Sequence, residues 1–429
     1  MQQLPTGWSR HKLGDLIELK YGIALPQKNR TNDGSPVFGS NGKIGEHTPA
    51  LTDGETLIIG RKGSIGEVHY SPVGCTPIDT TYYIDNVHEK TFRYWFHSLK
   101  NLNLGRLNKS TAIPGLSRND VYDIDIPVPP INEQRRIADK LDRVLARVDA
   151  ANEHLSRVAP IIKHFRQSVL EAAIAGRLTE DWRKHDKYKT TTARMGDIGK
   201  VTGGLTKNAK RAELPLRKAY LRVANVYSNE VRLEEVLEIG LTESEYEKTK
   251  LTYGDLLIVE GNGSIDQIGR VAMWKDELPE CSHQNHLIRW RRSNLNIVPE
   301  FILAYLLSPA GRTQIISAAS STSGLHTLSV SKISALELNI PPVEEQSEIV
   351  RRVEKLLAFA DRLEERLSQA QAAVQKLTPA LLAKAFRGEL VPQDPNDEPA
   401  SELLKRLQES RTDSAKPSRA RKPRTKKSR

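Results

Sequence analysis

The chain has 429 residues, 38% apolar and 27% charged, a formal net charge of +11 and two cysteines. This balance excludes a disordered or fibrous protein, and the two cysteines, Cys75 and Cys281, exclude a disulfide framework. Eight of the eleven net charges lie in RTDSAKPSRARKPRTKKSR (411–429), so the preceding 410 residues carry +3 and composition points to nucleic acid only through a tail.

The N-terminal MQQLPTGWSR has no apolar signal core, and no apolar run reaches the ~18 residues of a membrane span, so a cytoplasmic location with no membrane contact is expected. Residues 1–125 carry short β-rich runs parted by Gly, Ser, Asn and Pro, with strands predicted at Thr56–Ile59, Val68–Tyr70 and Thr81–Ile84. Between them, FGSNGKIGEH (38–47) and GRKGSIGEV (60–68) set amide and hydroxyl groups beside basic ones.

A helical run follows Pro129-Pro130. Ile137, Leu141, Val144, Val148, Ala151, Leu155, Val158, Ile162 and Phe165 recur in steps of three and four, a heptad seam. Proline tolerates the start of such a helix, and Gly176 suits its left-handed cap. Pro160 lies inside the run and should kink or briefly interrupt it.

Residues 193–338 repeat the β-rich texture, with strands predicted at Leu256–Val259, Gly269–Trp274 and Leu287–Trp290 and a polar loop EGNGSIDQIG (260–269). After Pro341-Pro342 a second seam runs through Ile349, Val353, Leu356, Leu363, Leu367, Val374, Leu377 and Leu381, with Gly388 at its end and Pro379 inside it, where a kink or brief interruption is again expected. Residues 129–178 match 341–390 without a gap at 15 of 50 positions, among them Pro129/Pro341, Glu133/Glu345, Gln134/Gln346 and Gly176/Gly388. Such a match marks an internal duplication. Weaker echoes, Leu13-Gly-Asp with Met195-Gly-Asp and Gly63-Ser-Ile with Gly263-Ser-Ile, extend it into the globular stretches.

The second helix must bury its stripe, and the nearest matching stripe is the first helix, reached by running backwards. The expected fold class is therefore α+β: two α/β domains separated by an antiparallel coiled coil of two long helices, with approximate two-fold symmetry. The expected boundaries are 1–128, 129–180 for the first helix, 181–192 as linker, 193–340, 341–390 for the second helix, and 391–429 as linker, short helix and basic tail.

Catalytic and metal motifs are weak. Gly261-Asn-Gly263-Ser lacks the last glycine and the βαβ frame of a dinucleotide loop, so a hairpin turn is the better reading. Lys43 is followed by Ile rather than the Ser or Thr of a phosphate loop. Cys281-Ser-His283-Gln-Asn-His286 offers ligand types without a second cluster, so no metal site is expected. Glu18-Leu-Lys20 lacks the preceding acidic partner of a nuclease site. Recognition rather than catalysis is the expected work.

IPVPPINEQRRIADKLDRVLARVD with GRLTEDW, and NIPPVEEQSEIVRRVEKLLAFAD with LLAKAFRGEL, closely resemble the two central repeats of type I restriction–modification specificity subunits. The resemblance implies two target-recognition domains, each reading one half of a bipartite asymmetric sequence in double-stranded DNA. It also implies a coiled coil that sets the spacer and docks two adenine-methyltransferase subunits, joined by restriction and translocase subunits. S-adenosylmethionine, ATP and Mg2+ would then sit on those partners, with no cofactor and no catalytic residue in this chain. Loop residues that could hold phosphates or read base edges are Lys20, Lys28, Arg30, Ser40, Asn41, Lys43, Arg61, Lys62, Lys109 and Ser110 in the first domain. In the second they are Thr206, Lys207, Arg211, Arg222, Asn225, Asn262, Ser264, Gln284, Asn285, Ser321 and Thr322. The competing readings are a coiled-coil scaffold that touches DNA only through its tail, and an autonomous nuclease with an unfamiliar site.

Overall fold

A computed structural model describes residues 4–31, 33–108, 115–183, 187–265, 267–322, 325–402 and 404–406. It divides into two compact units, Met1–Leu155 with Ala370–Arg429, and Ser156–Gln369. No described helix is long and apolar enough to cross a membrane.

In unit 1 a four-stranded antiparallel sheet has the order Lys20–Tyr21, Thr81–Ile84, Thr56–Gly60, Val68–Ser71. The inner strand TLIIG is apolar on both faces because both are covered: Leu57, Ile58 and Ile59 are fully buried, each stabilising the core by about 1.5–3 kcal/mol. A second sheet orders Gly42–His47, Ser35–Gly39 and Thr76–Pro77, the last pair parallel. Ser9–Lys12 pairs with Asp125–Val128, bringing the start of the unit to the strand that feeds the long helix.

Unit 2 repeats this plan. Its four-stranded sheet has the order Gly199–Thr202, Leu287–Arg292, Leu256–Val259, Val271–Met273, and its three-stranded sheet again ends in a parallel pair, Leu216–Leu221 with Ser282–His283. Thr191–Arg194 pairs with Glu337–Ile340 as Ser9–Lys12 does with Asp125–Val128. Each domain is thus mixed, with antiparallel pairing dominant. The likeness reaches single atoms. A Cβ on Gly22 would lie 2.5 and 2.1 Å from the carbonyl oxygens of Pro77 and Ile78, and one on Gly204 2.2 and 2.5 Å from those of His283 and Gln284, so both positions exclude every other residue. Beside them, isolated parallel bridges join Ile23 to Ile78 and Leu205 to Gln284.

The long helices begin directly after the proline pairs, at Ile131 and Val343. There Gln134 Nε2 donates to the Pro129 carbonyl at 3.1 Å and Gln346 Nε2 to that of Pro341 at 2.8 Å. The first run is two helices, Ile131–Ser156 and Val158–Ile174, parted at Arg157. The interruption expected from Pro160 falls where proline chemistry puts it: residue 160 has no N–H for the Ser156 carbonyl, and its ring crowds that same oxygen. The interruption expected at Pro379 does not occur: Val343–Phe386 is one helix through it. Gly176 and Gly388 lie past the two helix ends with φ of +70° and +75°, the left-handed conformation that glycine adopts freely.

Within unit 2 the two helical segments run antiparallel, since later residues of the first meet earlier residues of the second. Phe165 packs edge-on against Phe359, Arg166 bridges Asp361 and Glu364 at 2.7 Å, and Thr179 donates to Glu345 at 2.7 Å. Within unit 1, Ile137, Ala138 and Leu141 share a core with Leu382 and Ala385. Of the predicted seam, Ile137, Leu141, Val148, Ile162, Ile349, Val353 and Leu367 are buried, and Val144, Leu155, Val158, Phe165, Leu356, Leu363, Val374 and Leu381 half-buried. Leu377 departs from it, at 44% exposed. A helix of 3.6 residues per turn drifts about 20° per heptad, so near its end the buried stripe has moved to Leu382 and Ala385.

Candidate nucleic-acid interface

The exposed cluster in unit 1 is built around Tyr21. Tyr21 ends the short edge strand Lys20–Tyr21, and side chains alternate along a strand, so Lys20 and Tyr21 face opposite ways. Lys20 turns to Asp85, which its Nζ meets at 2.7 and 2.9 Å; this hydrogen bond raises the lysine pKa above its ordinary value. Tyr21 stands 51% exposed, edge-on to Tyr82 with ring centres 5.0 Å apart. The Arg61 guanidinium lies 5.3 Å from its ring centre and that of Arg118 lies 5.4 Å away, a stack of two cations on one aromatic ring.

Backbone contacts fix the loop that carries Arg61. The Arg61 and Lys62 amides both donate to the Thr80 carbonyl, the Arg61 side chain donates to the Asp79 carbonyl at 2.6 Å, and the Leu116 amide donates to the Arg61 carbonyl. Ser40 joins this group, since a Cβ on Gly63 would lie 3.1 Å from its Oγ and its carbonyl accepts from His69 Nε2 at 3.1 Å. Arg61, Lys62 and Ser40 are therefore brought together with Tyr21 and Arg118, and Asn41 is exposed beside Ser40. Lys109 and Ser110 lie outside the described residues. Tyr21 and Arg118 escaped the sequence reading, although an aromatic residue next to a lysine on a short strand was a usable signal.

Other unit 1 candidates are differently placed. Arg30 donates to the Ile44 carbonyl at 2.9 Å and, more loosely, to that of Leu25, so it braces the hairpin. Lys43 pairs with Glu46 at 2.8 Å on the surface, and Lys28 is exposed in a short 3-10 turn.

In unit 2, Arg211 holds Glu245 at 2.9 and 3.2 Å and donates to the carbonyls of Thr206 and Gly240. Asn225 is buried, donating to the carbonyls of Arg232 and Glu235 and accepting from the Arg222 amide. Arg222 in turn donates to the Glu235 carbonyl. These three stabilise loops. Thr206, Lys207 and Ser264 are exposed, and Gln284 and Asn285 are half-buried on the bridge to Leu205. Asn262, Ser321 and Thr322 lie in short strands, Gly261–Asn262 and Ser320–Thr322, that pair with Leu325–Thr327. A second cation–aromatic stack went unforeseen: Arg232 and Arg270 lie 3.8 and 5.1 Å from the Tyr227 ring centre.

Of the ligand-type residues near Cys281, Cys281 and His283 are core and His286 is exposed. Cys281 is buried, which pushes its thiol up to about 12, and burial beside Arg289 pulls His283 down to about 3, keeping it neutral. His283 Nδ1 meets the Thr249 carbonyl at 3.0 Å, and His286 faces Glu260. Among the described residues no group of three or more His, Cys, Asp or Glu could hold a metal ion.

A model of the type I restriction modification DNA specificity domain matches residues 5–158 and 188–370. The specificity subunit of the type I restriction enzyme EcoKI from Escherichia coli K12 is 37% identical over 278 residues, and that of StySPI from Salmonella potsdam 35% over 272; each alignment covers 63% of this chain and 58% of the relative. The EcoBI specificity subunit of Escherichia coli is 28% identical over 422 residues, covering 90% of this chain and 87% of the relative. Among solved structures, a chain from work on complex assembly and conformational transition of the type I R-M system shares the fold with a TM-score of 0.60 at 18% identity, over 91% of this chain and all of that one. The HsdS subunit from Thermoanaerobacter tengcongensis gives 0.57 at 18% identity, over 91% and 99%.

Proposed function

Because the chain belongs to the type I restriction modification DNA specificity domain family, we propose that it selects the DNA sequence on which a restriction–modification complex acts, each globular domain reading one half of a bipartite target. One observation carries this reading. The two domains repeat one scaffold, down to the glycine contacts at Gly22 and Gly204, yet the residue before that glycine is Tyr21 in one and Gly203 in the other. A shared frame with exchanged loops suits two readers of different sequences.

In unit 1 the reading surface is the Tyr21, Arg61 and Arg118 stack with Ser40, Asn41 and Lys62. Stacking on Tyr21 extends the guanidinium groups toward a ligand while leaving donors free for phosphate oxygens or the acceptor edge of guanine. The long helices would set the spacer and dock two adenine-methyltransferase subunits. S-adenosylmethionine, ATP and Mg2+ would belong to those and to the restriction subunits. A charge of +3 on residues 1–410 is small for a protein that must neutralise many phosphates alone, so firm binding would need the partners.

Deleting residues 411–429 tests the reading against a scaffold that holds DNA only by its tail. Mapping methylated bases in cells that carry the chain and its partners should return the same sequence with and without the tail. Loss of sequence-specific methylation on deletion would favour the scaffold.

A further inference from the structure

Each unit serves as a template for the other, and one place where they differ is a cleft. In unit 1 the helix Phe92–Asn101 packs on the edge strand Val68–Ser71. Its Arg93 lies 4.7 Å from the Tyr70 ring centre and 5.2 Å from that of Phe96, and its Nε donates to Asp142 at 3.0 Å. His97 Nε2 meets the same carboxylate at 2.7 Å. Burial works against ionisation of Asp142, yet the bonds from Arg93 and His97 prevail and hold its pKa below the ordinary value. Unit 1 thus plugs this space with its own cation and aromatic rings.

In unit 2 the helix Pro299–Leu307 packs on the edge strand Val271–Met273 in the corresponding place. Strand pairing sets Met273 opposite Leu256 as Tyr70 stands opposite Leu57. Matching the buried helix positions, Tyr94 with Phe301 and Leu99 with Leu306, sets Glu300, Leu303 and Ala304 where unit 1 has Arg93, Phe96 and His97. The 212-residue repeat sets Glu354 where unit 1 has Asp142. An opposite-charge pair under aromatic cover has become two glutamates among smaller side chains. There the structure has an open cleft of about 330 Å³ lined by all five of these unit 2 residues. Glu300 accepts from Tyr253 Oη at 3.2 Å; the lining also holds one lysine, Lys275, and Asp361, whose charge is already paired with Arg166.

We infer that this cleft receives, from a partner protein, an arginine or lysine flanked by an apolar or aromatic side chain, the group that unit 1 supplies for itself. The partner is the methyltransferase subunit, and in that identity alone the inference rests on the proposed function. Carboxylates on the lining repel phosphate, which argues against DNA. The basic tail could bring charge, but between residues 411 and 429 its apolar side chains are only alanine and proline, with no aromatic, Leu, Ile, Val or Met for walls made by Leu303, Leu307 and Leu357.

The chain has three methionines, so methyl-13C labelling gives a spectrum in which Met273 reports the cleft and Met195, fully buried elsewhere in unit 2, serves as control. In the full chain, tryptophyl-arginine amide should shift Met273 and leave Met195 unmoved. Glu354→Gln should weaken that response about two- to fivefold, the range of a partly exposed ion pair. Glu300→Arg, which restores the plug of unit 1, should abolish the response without lowering Tm and weaken methyltransferase binding about tenfold. A Met273 signal unmoved by the arginine peptide, moved equally by tryptophyl-glutamate, or moved instead by a DNA duplex overturns the inference. So does a methyltransferase complex that forms while Met273 stays unperturbed. If no complex forms with the unaltered chain, the functional reading fails, and the peptide result still decides the chemistry of the cleft.

Discussion

Arg61 and Arg211 were alike as letters in loops, yet the structure gives them opposite work. Arg61 stacks on exposed Tyr21, whereas Arg211 is tied to Glu245 and two carbonyls. Arg61→Ala should cost about 1–3 kcal/mol of DNA affinity and change base preference in one half of the target, as read by binding to a randomised duplex library. Arg211→Ala should leave the recognised sequence alone and lower stability by about 1–3 kcal/mol, as read by the denaturation midpoint, because the bonds of its guanidinium to Glu245 and to the Thr206 and Gly240 carbonyls are lost. Residue types made the polar loops visible in the sequence. Which loop residues are free did not, because the partners that immobilise Lys20 and Arg211 lie 65 and 34 residues further along the chain. The neutral, buried His283 adds a pH dependence. Its folded pKa of about 3 lies below the unfolded value near 6.5, so its contribution is complete above pH 6.5 and is lost as pH falls toward 3. The urea midpoint of the wild-type chain should fall across that window, and His283→Asn should flatten the slope.

Among the elements, the helices were the most legible part of the chain. Proline pairs, heptad spacing and terminal glycines are local signals, and the helices start and stop where those signals stand. Two details were not local. The interruption came at Arg157, three residues before Pro160, while the helix through Pro379 is unbroken. The stripe also rotates, leaving Leu377 exposed. Leu141→Ala should therefore cost about 2–5 kcal/mol, as it empties a fully buried position in unit 1. Leu377→Ala should stay within about 0.5 kcal/mol of the unaltered chain. Equal losses at both positions in chemical denaturation would contradict the observed register. The strands were found near their predicted places because apolar runs such as Leu256–Val259 are bounded by turn residues.

At the scale of the whole molecule, the duplication was plain in the helical segments, which align without a gap, and faint in the globular ones, where insertions move the echoes between offsets. Strand order and the paired glycine contacts restore the equivalence that sequence divergence hides. Divergence concentrated in loops is what separate readers on one frame require. Inserting residues into one long helix should lengthen the unread spacer in the methylated target and leave both half-sites unchanged. The most direct test replaces residues 1–125 by the corresponding domain of a relative with a different target, followed by mapping of methylated bases. The account predicts that one half of the recognised sequence changes and the other half persists; a change in both halves, or in neither, would contradict it.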